Sequence, residues 1–141
     1  MANRRRQPQS DARSDARERA LTLLYEAESK SITPREVIAH QIVDPDPLTV
    51  QLCEGVEDDR ARLDELISSH AKGWTIQRMP SIDRTVLRMA IFELGARPDT
   101  PTAVVIDEAV ELAKRFSTDD SGKFVNGMLS AIAPKVRPPA A

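Results

Sequence analysis

The segment 82–94, which reads I-D-R-T-V-L-R-M-A-I-F-E-L, decides the fold of this chain. On a helical wheel with about 100° per residue, its apolar side chains fill an arc of roughly 200°. A surface helix usually shows an apolar stripe about 100° wide. We therefore predict a central helix that is covered on two sides. The residues of the arc are Ile82, Val86, Leu87, Met89, Ala90, Ile91 and Leu94.

The ends of this central helix are marked by local signals. Ser81 follows Pro80 and is a good N-cap residue, and Asp83 places a negative charge in the first turn, where the helix dipole favours it. Gly95 and then Pro98 mark the end. The sequence thus predicts a helix from about residue 81 to about residue 95.

The composition is that of a single soluble domain. The chain has 141 residues, of which 40% are hydrophobic and 30% are charged. No apolar run approaches the roughly 18 residues of a membrane span, and no secretory signal is present. The single cysteine, Cys53, excludes an internal disulfide and is typical of a reducing compartment. We expect a cytoplasmic protein, and with a net charge of −2 any nucleic-acid binding requires a local basic patch.

Helical periodicity continues before the central helix. A first helix is predicted from about residue 12 to about residue 28. One turn before its apolar residues, the same face of this helix carries Arg13 and Arg17. Thr33 and Glu36 form a capping box for a short second helix. A long third helix is predicted from about residue 47 to about residue 71, with Asp46 as its N-cap and Gly55 permitting close packing of a neighbour.

After the third helix, Trp74 is predicted to plug the junction between helices. Two further helices are predicted at about 102–116 and from about 120 to about 132, the second ended by Pro134. No segment alternates with a period of two. We predict an all-α compact bundle of six or seven helices, with one domain at 12–133, a flexible basic arm at 1–11 and a flexible tail at 134–141.

The sequence contains no motif for catalysis, a metal or a cofactor. Phosphate-binding, dinucleotide-binding and zinc-binding motifs are missing. His40 and His70 are too far apart to suggest a metal site, and Cys53 lies on a predicted packing helix. We therefore predict no catalytic residues, no metal and no cofactor.

The last helix carries the first indication of a binding site. Val125, Met128, Leu129 and Ile132 form its core stripe, and Phe124 falls at the rim of that stripe. The outward flank beside Phe124 consists of Asp120, Lys123 and Gly127. An exposed aromatic ring beside a cation is typical of proteins that stack on unpaired bases, whereas a ring at the edge of a core is the alternative interpretation.

Several segments resemble one known family. The segment V-I-D-E-A-V-E-L-A-K-R-F at 105–116 and the segment K-F-V-N-G-M-L at 123–129 are similar to the C-terminal signature of the NusB family of transcription antitermination factors. The segment R-T-V-L-R-M-A-I-F-E-L at 84–94 resembles the same family. The resemblance implies about seven helices in two packed helical subdomains.

The resemblance also implies a function and its site. Members of the family bind the boxA segment of ribosomal RNA leader transcripts together with the ribosomal protein NusE, and help RNA polymerase pass terminators within an antitermination complex. Ribosomal protein NusE is then expected near Tyr25 and Asp83. RNA is expected along the basic N-terminal region and the edge of the last helix, namely at Arg4, Arg5, Arg6, Arg13, Arg17, Asp120, Lys123 and Phe124.

Two other interpretations remain open at this point. NusB-like domains also occur in RNA cytosine methyltransferases, although this chain has no Gly-rich cofactor motif. A homodimer could bury the arginine-rich surface until RNA or NusE competes for it. The sequence also departs from the family, since Asp15 and Glu18 lie among the arginines of the first helix.

Overall fold

The computed structural model describes the backbone of residues 8–138 and the side chains of residues 12–138. Over this range the chain forms seven α-helices and one 3-10 turn, and it contains no strand. None of the helices in this range could span a membrane. The predicted all-α fold is confirmed. The elements are α1 (Pro8–Lys30), α2 (Pro34–Ala39), α3 (Pro47–Asp58), α4 (Arg60–His70), the 3-10 turn (Ile76–Arg78), α5 (Ser81–Ala96), α6 (Thr102–Phe116) and α7 (Asp119–Val136).

Helix α5, which contains segment 82–94, lies at the centre of the bundle. It contacts α1, α3, α4, α6 and α7, and the side chains of Leu87 and Ile91 have no exposed surface. Helices α1, α2 and α3 pack together as one group, and α4 to α7 pack as a second group. The broad apolar arc is therefore explained, because α5 joins both helical subdomains.

Two predicted helix starts are confirmed by their hydrogen bonds. The Thr33 hydroxyl accepts from the backbone N–H of Glu36 at 3.1 Å, and the Glu36 carboxylate accepts from the backbone N–H of Thr33 at 3.4 Å. The Asp46 carboxylate accepts from the backbone N–H of Leu48 at 2.8 Å. These side chains satisfy N–H groups that have no partner within the helix.

The predicted long third helix is wrong, because the chain leaves the helical conformation at Asp59 (φ −97°, ψ 11°). The guanidinium of Arg62 donates to the Asp59 carboxylate at 2.9 Å. The break gives two helices with different neighbours, since α3 packs on α1 whereas α4 packs on α7. The predicted role of Gly55 is confirmed, because a Cβ atom there would collide with the ring of Phe92 on α5.

Both ends of the helical region differ from the prediction. Helix α1 is already formed at Pro8, the first residue described, whereas a start at about residue 12 was expected, so the predicted arm at 1–11 includes helical backbone. Helix α7 continues through Pro134 to Val136, and the predicted tail therefore begins too early. Proline removes only one hydrogen bond, while Val136 packs against the core. The Arg137 guanidinium then donates to the carbonyls of Leu94, Arg97 and Thr100 at 2.8, 2.8 and 2.7 Å.

Candidate nucleic-acid interface

The candidate interface is built on the first half of α7. Thr118 caps this helix, because its hydroxyl accepts from the backbone N–H of Ser121 at 3.0 Å. The inner face of α7 is fixed by fully buried Val125, Leu129 and Ile132. This anchoring sets the rotation of the helix, so the opposite flank faces solvent. Exposed residues on that flank are Asp120, Lys123, Asn126 and Gly127.

Phe124 lies at the rim of the core, as the wheel predicted. Its side chain is partly buried, and one side packs against the core. It also contacts Trp74 edge to face, with the ring centroids 5.0 Å apart and the planes at 66°. Trp74 is 39% exposed, so the prediction that it plugs a junction between helices is wrong. The two residues are far apart in the sequence, and no local spacing indicates that they meet.

The backbone of α7 is open beside these side chains. A Cβ atom at Gly127 would find nothing within 4 Å. A ligand can therefore approach the helix closely at this position. Three of the exposed flank residues, Asp120, Lys123 and Gly127, lie together with the ring of Phe124. They offer an acceptor, a cation and access to the backbone. This combination suits an unpaired nucleotide, which presents a flat base, polar base edges and a phosphate.

The two predicted arginines of α1 have different environments. Arg13 is exposed, whereas Arg17 is only 4% exposed. The Nε and Nη2 atoms of Arg17 donate to the two carboxylate oxygens of Glu93 at 2.8 and 2.6 Å. Its Nη1 atom also lies 3.8 Å from the carboxylate of Glu108. The prediction that Arg17 contacts RNA is therefore wrong, because its charge is already paired inside the bundle.

The arginine cluster of the arm, Arg4, Arg5 and Arg6, lies outside the described residues. In the sequence it lies shortly before Pro8, the first residue of α1 that the structure describes. The predicted RNA contacts of these three residues remain predictions.

The two residues of the predicted partner surface differ in their exposure to solvent. Tyr25 on α1 is 47% exposed, as a contact residue requires. Asp83 on α5 is only 2% exposed, and its Oδ1 atom has no hydrogen-bond partner among the described atoms. The prediction that Asp83 presents its carboxylate to a partner is wrong for this conformation, because neighbouring elements cover the first turn of α5 as well as its middle.

The first turn of α5 is joined to α1 through Glu28. Ser81 is not the N-cap, and its hydroxyl donates to the Glu28 carboxylate at 3.1 Å. The Nε atom of Arg84 donates to the same carboxylate at 3.2 Å. Burial by itself raises the pKa of Glu28, but the hydrogen bonds and charge of Arg84 outweigh this effect and lower the pKa. Tyr25 thus lies one helical turn from a fixed junction between α1 and α5.

The metal-ligating side chains are dispersed in the described part of the chain, and the cysteine thiol is buried. No group of three or more His, Cys, Asp or Glu side chains is placed to hold a metal ion there. Cys53 is buried, and burial raises the pKa of its thiol to about 12. Such a thiol remains protonated at neutral pH and is a poor nucleophile.

Comparisons with known proteins agree on one family. The sequence model of the NusB family matches residues 14–134 of the chain. The transcription antitermination protein NusB of Saccharopolyspora erythraea is 49% identical over 128 residues, which cover 86% of each chain.

Solved structures with the same fold point to this family as well. NusB of T. maritima superimposes with a TM-score of 0.80 at 34% identity, covering 87% of this chain and 91% of that chain. A complex of the antitermination factors NusB and NusE with double-stranded RNA gives a TM-score of 0.76 at 26% identity, covering 89% of this chain and 98% of the matched chain.

Proposed function

The chain belongs to the NusB family, and from this premise we propose that it is a transcription antitermination factor that binds boxA RNA of ribosomal RNA leader transcripts together with ribosomal protein NusE. In this role it joins the RNA polymerase antitermination complex and promotes processive transcription of ribosomal RNA. It acts by binding and not as an enzyme. We place its activity in the cytoplasm, where these transcripts are made.

The observation that carries this proposal is the exposed flank of α7. Lys123 and Phe124 lie side by side there, and the helix backbone is open at Gly127. Lys123 forms no ion pair with any carboxylate in the described part of the chain, so its charge is available to a phosphate. Phe124 offers a ring for stacking, and the exposed carboxylate of Asp120 can accept hydrogen bonds from base amino groups.

The positive charges for RNA binding come from arginines of α1 and of the arm. Arg13 is exposed on α1, and Arg4, Arg5 and Arg6 precede that helix in the sequence. These residues suit phosphate contacts, which provide affinity but no sequence preference. Arg17 is assigned to the scaffold instead. The chain has a net charge of −2, so RNA affinity depends on this local group of cations.

We assign the NusE surface to the face around Tyr25. The solved complex named above contains both NusB and NusE, which supports a protein partner for this fold. Tyr25 is exposed, and the adjacent junction of Glu28, Ser81 and Arg84 offers polar groups at the surface. Aromatic residues with polar neighbours are frequent at the centres of protein interfaces.

The test is a titration of fluorescently labelled boxA RNA with the full chain, with and without NusE. Wild-type protein should bind the RNA, bind it more tightly with NusE, and lose affinity steeply as salt increases. Phe124→Ala should weaken RNA binding by about 1–3 kcal/mol through lost stacking. Tyr25→Ala should leave RNA binding by the chain alone unchanged and reduce the gain from NusE.

Three results would contradict the proposal. These are failure to bind boxA RNA in the presence of NusE, equal binding of boxA RNA and an unrelated RNA of the same length, and equal binding by wild type and Phe124→Ala. Light scattering under the same conditions gives the stoichiometry of the complex. It also shows whether a homodimer of the free chain separates when RNA or NusE is added.

A further inference from the structure

Trp74 is the structural neighbour of Phe124, although the sequence gives no sign of it. Trp74 lies in the connection between α4 and the 3-10 turn, and Phe124 lies in the second turn of α7. Their ring centroids are 5.0 Å apart, and the ring planes meet at 66°. The two rings therefore form a corner and not a parallel stack.

Both sides of this corner keep accessible surface. Trp74 is 39% exposed and Phe124 is partly buried, whereas the large side chains of the core are covered almost completely. An aromatic pair that served packing alone would be expected to lie inside the core. A flat base placed on one ring of this corner would meet the edge of the other ring, which is a favourable arrangement of aromatic groups. Paired bases in a continuous duplex are covered by their neighbours and cannot enter.

Cations flank the corner on both chain segments. Lys72 precedes Trp74 by two residues, and Lys123 precedes Phe124 directly. Both lysines are exposed, and neither pairs with a carboxylate among the side chains that the structure describes. Between Lys72 and Trp74 lies Gly73, whose φ of +72° is readily adopted by glycine and turns the chain at this point. The two segments thus present one ring and one free cation each.

We propose that Trp74 is a second RNA-contacting aromatic residue, and that it forms with Phe124 a two-ring site for one unpaired base. Lys72 and Lys123 contact the phosphates on either side of that base. This inference rests on the proposed function and extends it, because it makes the 71–75 connection part of the RNA surface. It also makes an unpaired base at this point a requirement for full affinity.

The chain contains only one tryptophan, so its fluorescence reports on this residue directly. Wild-type protein is titrated with boxA RNA while tryptophan emission and the anisotropy of the labelled RNA are recorded. A base that stacks on Trp74 should quench its emission with the same midpoint as the anisotropy change. The same RNA annealed to its complement should bind more weakly and cause less quenching.

Substitutions provide the second arm of the test. Trp74→Leu should weaken RNA binding about 5- to 100-fold, and Trp74→Phe should restore most of the loss because it retains a ring. Ile42→Ala is the control, since Ile42 is an exposed large apolar residue that belongs to neither the proposed RNA surface nor the proposed NusE surface. Trp74→Leu with Phe124→Leu should weaken binding less than the product of the single effects, because both rings hold the same base. Circular dichroism and thermal unfolding check that each variant is folded.

The outcomes separate this inference from the proposed function. If anisotropy shows tight binding of boxA RNA while tryptophan emission does not change, the inference is overturned and the proposed function stands. Direct contact between Trp74 and the RNA is also refuted if Trp74→Leu binds boxA RNA as tightly as wild type. The same holds if Trp74→Leu binds weakly but RNA does not change the tryptophan emission of the wild-type chain. If no RNA binding is measured by either signal, both the inference and the proposed function fail. Should Trp74→Leu fail to fold, the emission of the wild-type chain still decides the question.

Discussion

Arg17 and Glu93 form a two-point ion pair inside the bundle, with N···O distances of 2.8 and 2.6 Å. The pair joins α1 to the central helix α5, and both side chains are almost fully covered. A buried arginine that is paired in this way has a different role from an exposed one, even where both occupy similar positions in the helical pattern. Arg13 lies one turn earlier on α1 and is exposed. These two arginines therefore allow structural and RNA-binding roles to be separated.

We predict that Arg17→Met lowers the free energy of unfolding by about 3–5 kcal/mol, because it leaves the Glu93 carboxylate buried without its main partner. Urea denaturation followed by circular dichroism measures this change. Arg13→Met should change the free energy of unfolding by no more than about 0.5 kcal/mol. It should nevertheless weaken RNA binding and reduce its salt dependence. Equal stability of the two variants would contradict the assignment of Arg17 to the scaffold.

The second prediction concerns the end of α7. Arg137→Ala should lower the free energy of unfolding by about 1.5–3 kcal/mol, because it removes the charged hydrogen bonds to the carbonyls of Leu94, Arg97 and Thr100. A chain that ends after Pro138 keeps Arg137 and should be as stable as wild type. Denaturation of both proteins under the same conditions measures the difference. If removal of the last residues destabilises the protein as much as Arg137→Ala, the guanidinium is not the anchor.

The third prediction is a pH dependence at the junction of α1 and α5. The pKa of Glu28 is lower in the folded chain than the ordinary value of 4.5. Its contribution to stability is therefore fully present above the unfolded-state pKa, and it is lost as the pH falls through the folded-state pKa. Below about pH 4.5, wild type should lose stability more steeply than Glu28→Gln, as measured by urea denaturation at a series of pH values. Parallel curves would show that Glu28 does not contribute in this way.

Cys53 provides a fourth prediction, on chemical reactivity. The pKa of its thiol is raised to about 12, chiefly by burial, and the Sγ atom donates to the carbonyl of Ala20 at 3.8 Å. The folded protein should therefore react with a thiol reagent at pH 8 far more slowly than the protein in denaturant. The rate in increasing urea should follow the unfolded fraction. Rapid reaction of the native protein would show that α3 opens away from α1 without global unfolding.

Sequence periodicity was sufficient to predict the central role of α5. Its apolar arc reflects local helical geometry, and the bundle covers the arc from both sides as expected. The rim position of Phe124 is confirmed for the same reason, since a wheel fixes where each side chain points once the core stripe is known. The capping residues Thr33 and Asp46 act within one turn of the chain, and their roles were also predictable.

The errors in the candidate site concern contacts between distant segments. A wheel places Arg17 beside Arg13, but only the packed structure brings Glu93 opposite Arg17. Asp83 has the usual position of a first-turn acid, yet other elements cover it. The contact of Trp74 with Phe124 depends on how the 71–75 connection folds over α7. A local sequence pattern carries no information on such tertiary contacts, so Trp74 was not predicted as a site residue.

The most direct measurement of the central claim is photochemical crosslinking of boxA RNA that carries 4-thiouridine, followed by mass spectrometry of the crosslinked peptides. The reaction is carried out with the full chain and NusE, and repeated with an excess of unlabelled boxA RNA as competitor. We predict that the main crosslinked peptide comes from the first half of α7 and contains Lys123 and Phe124, and that the competitor abolishes it. Crosslinks confined to surfaces away from α7, with none on the peptide of Lys123 and Phe124, would contradict the account.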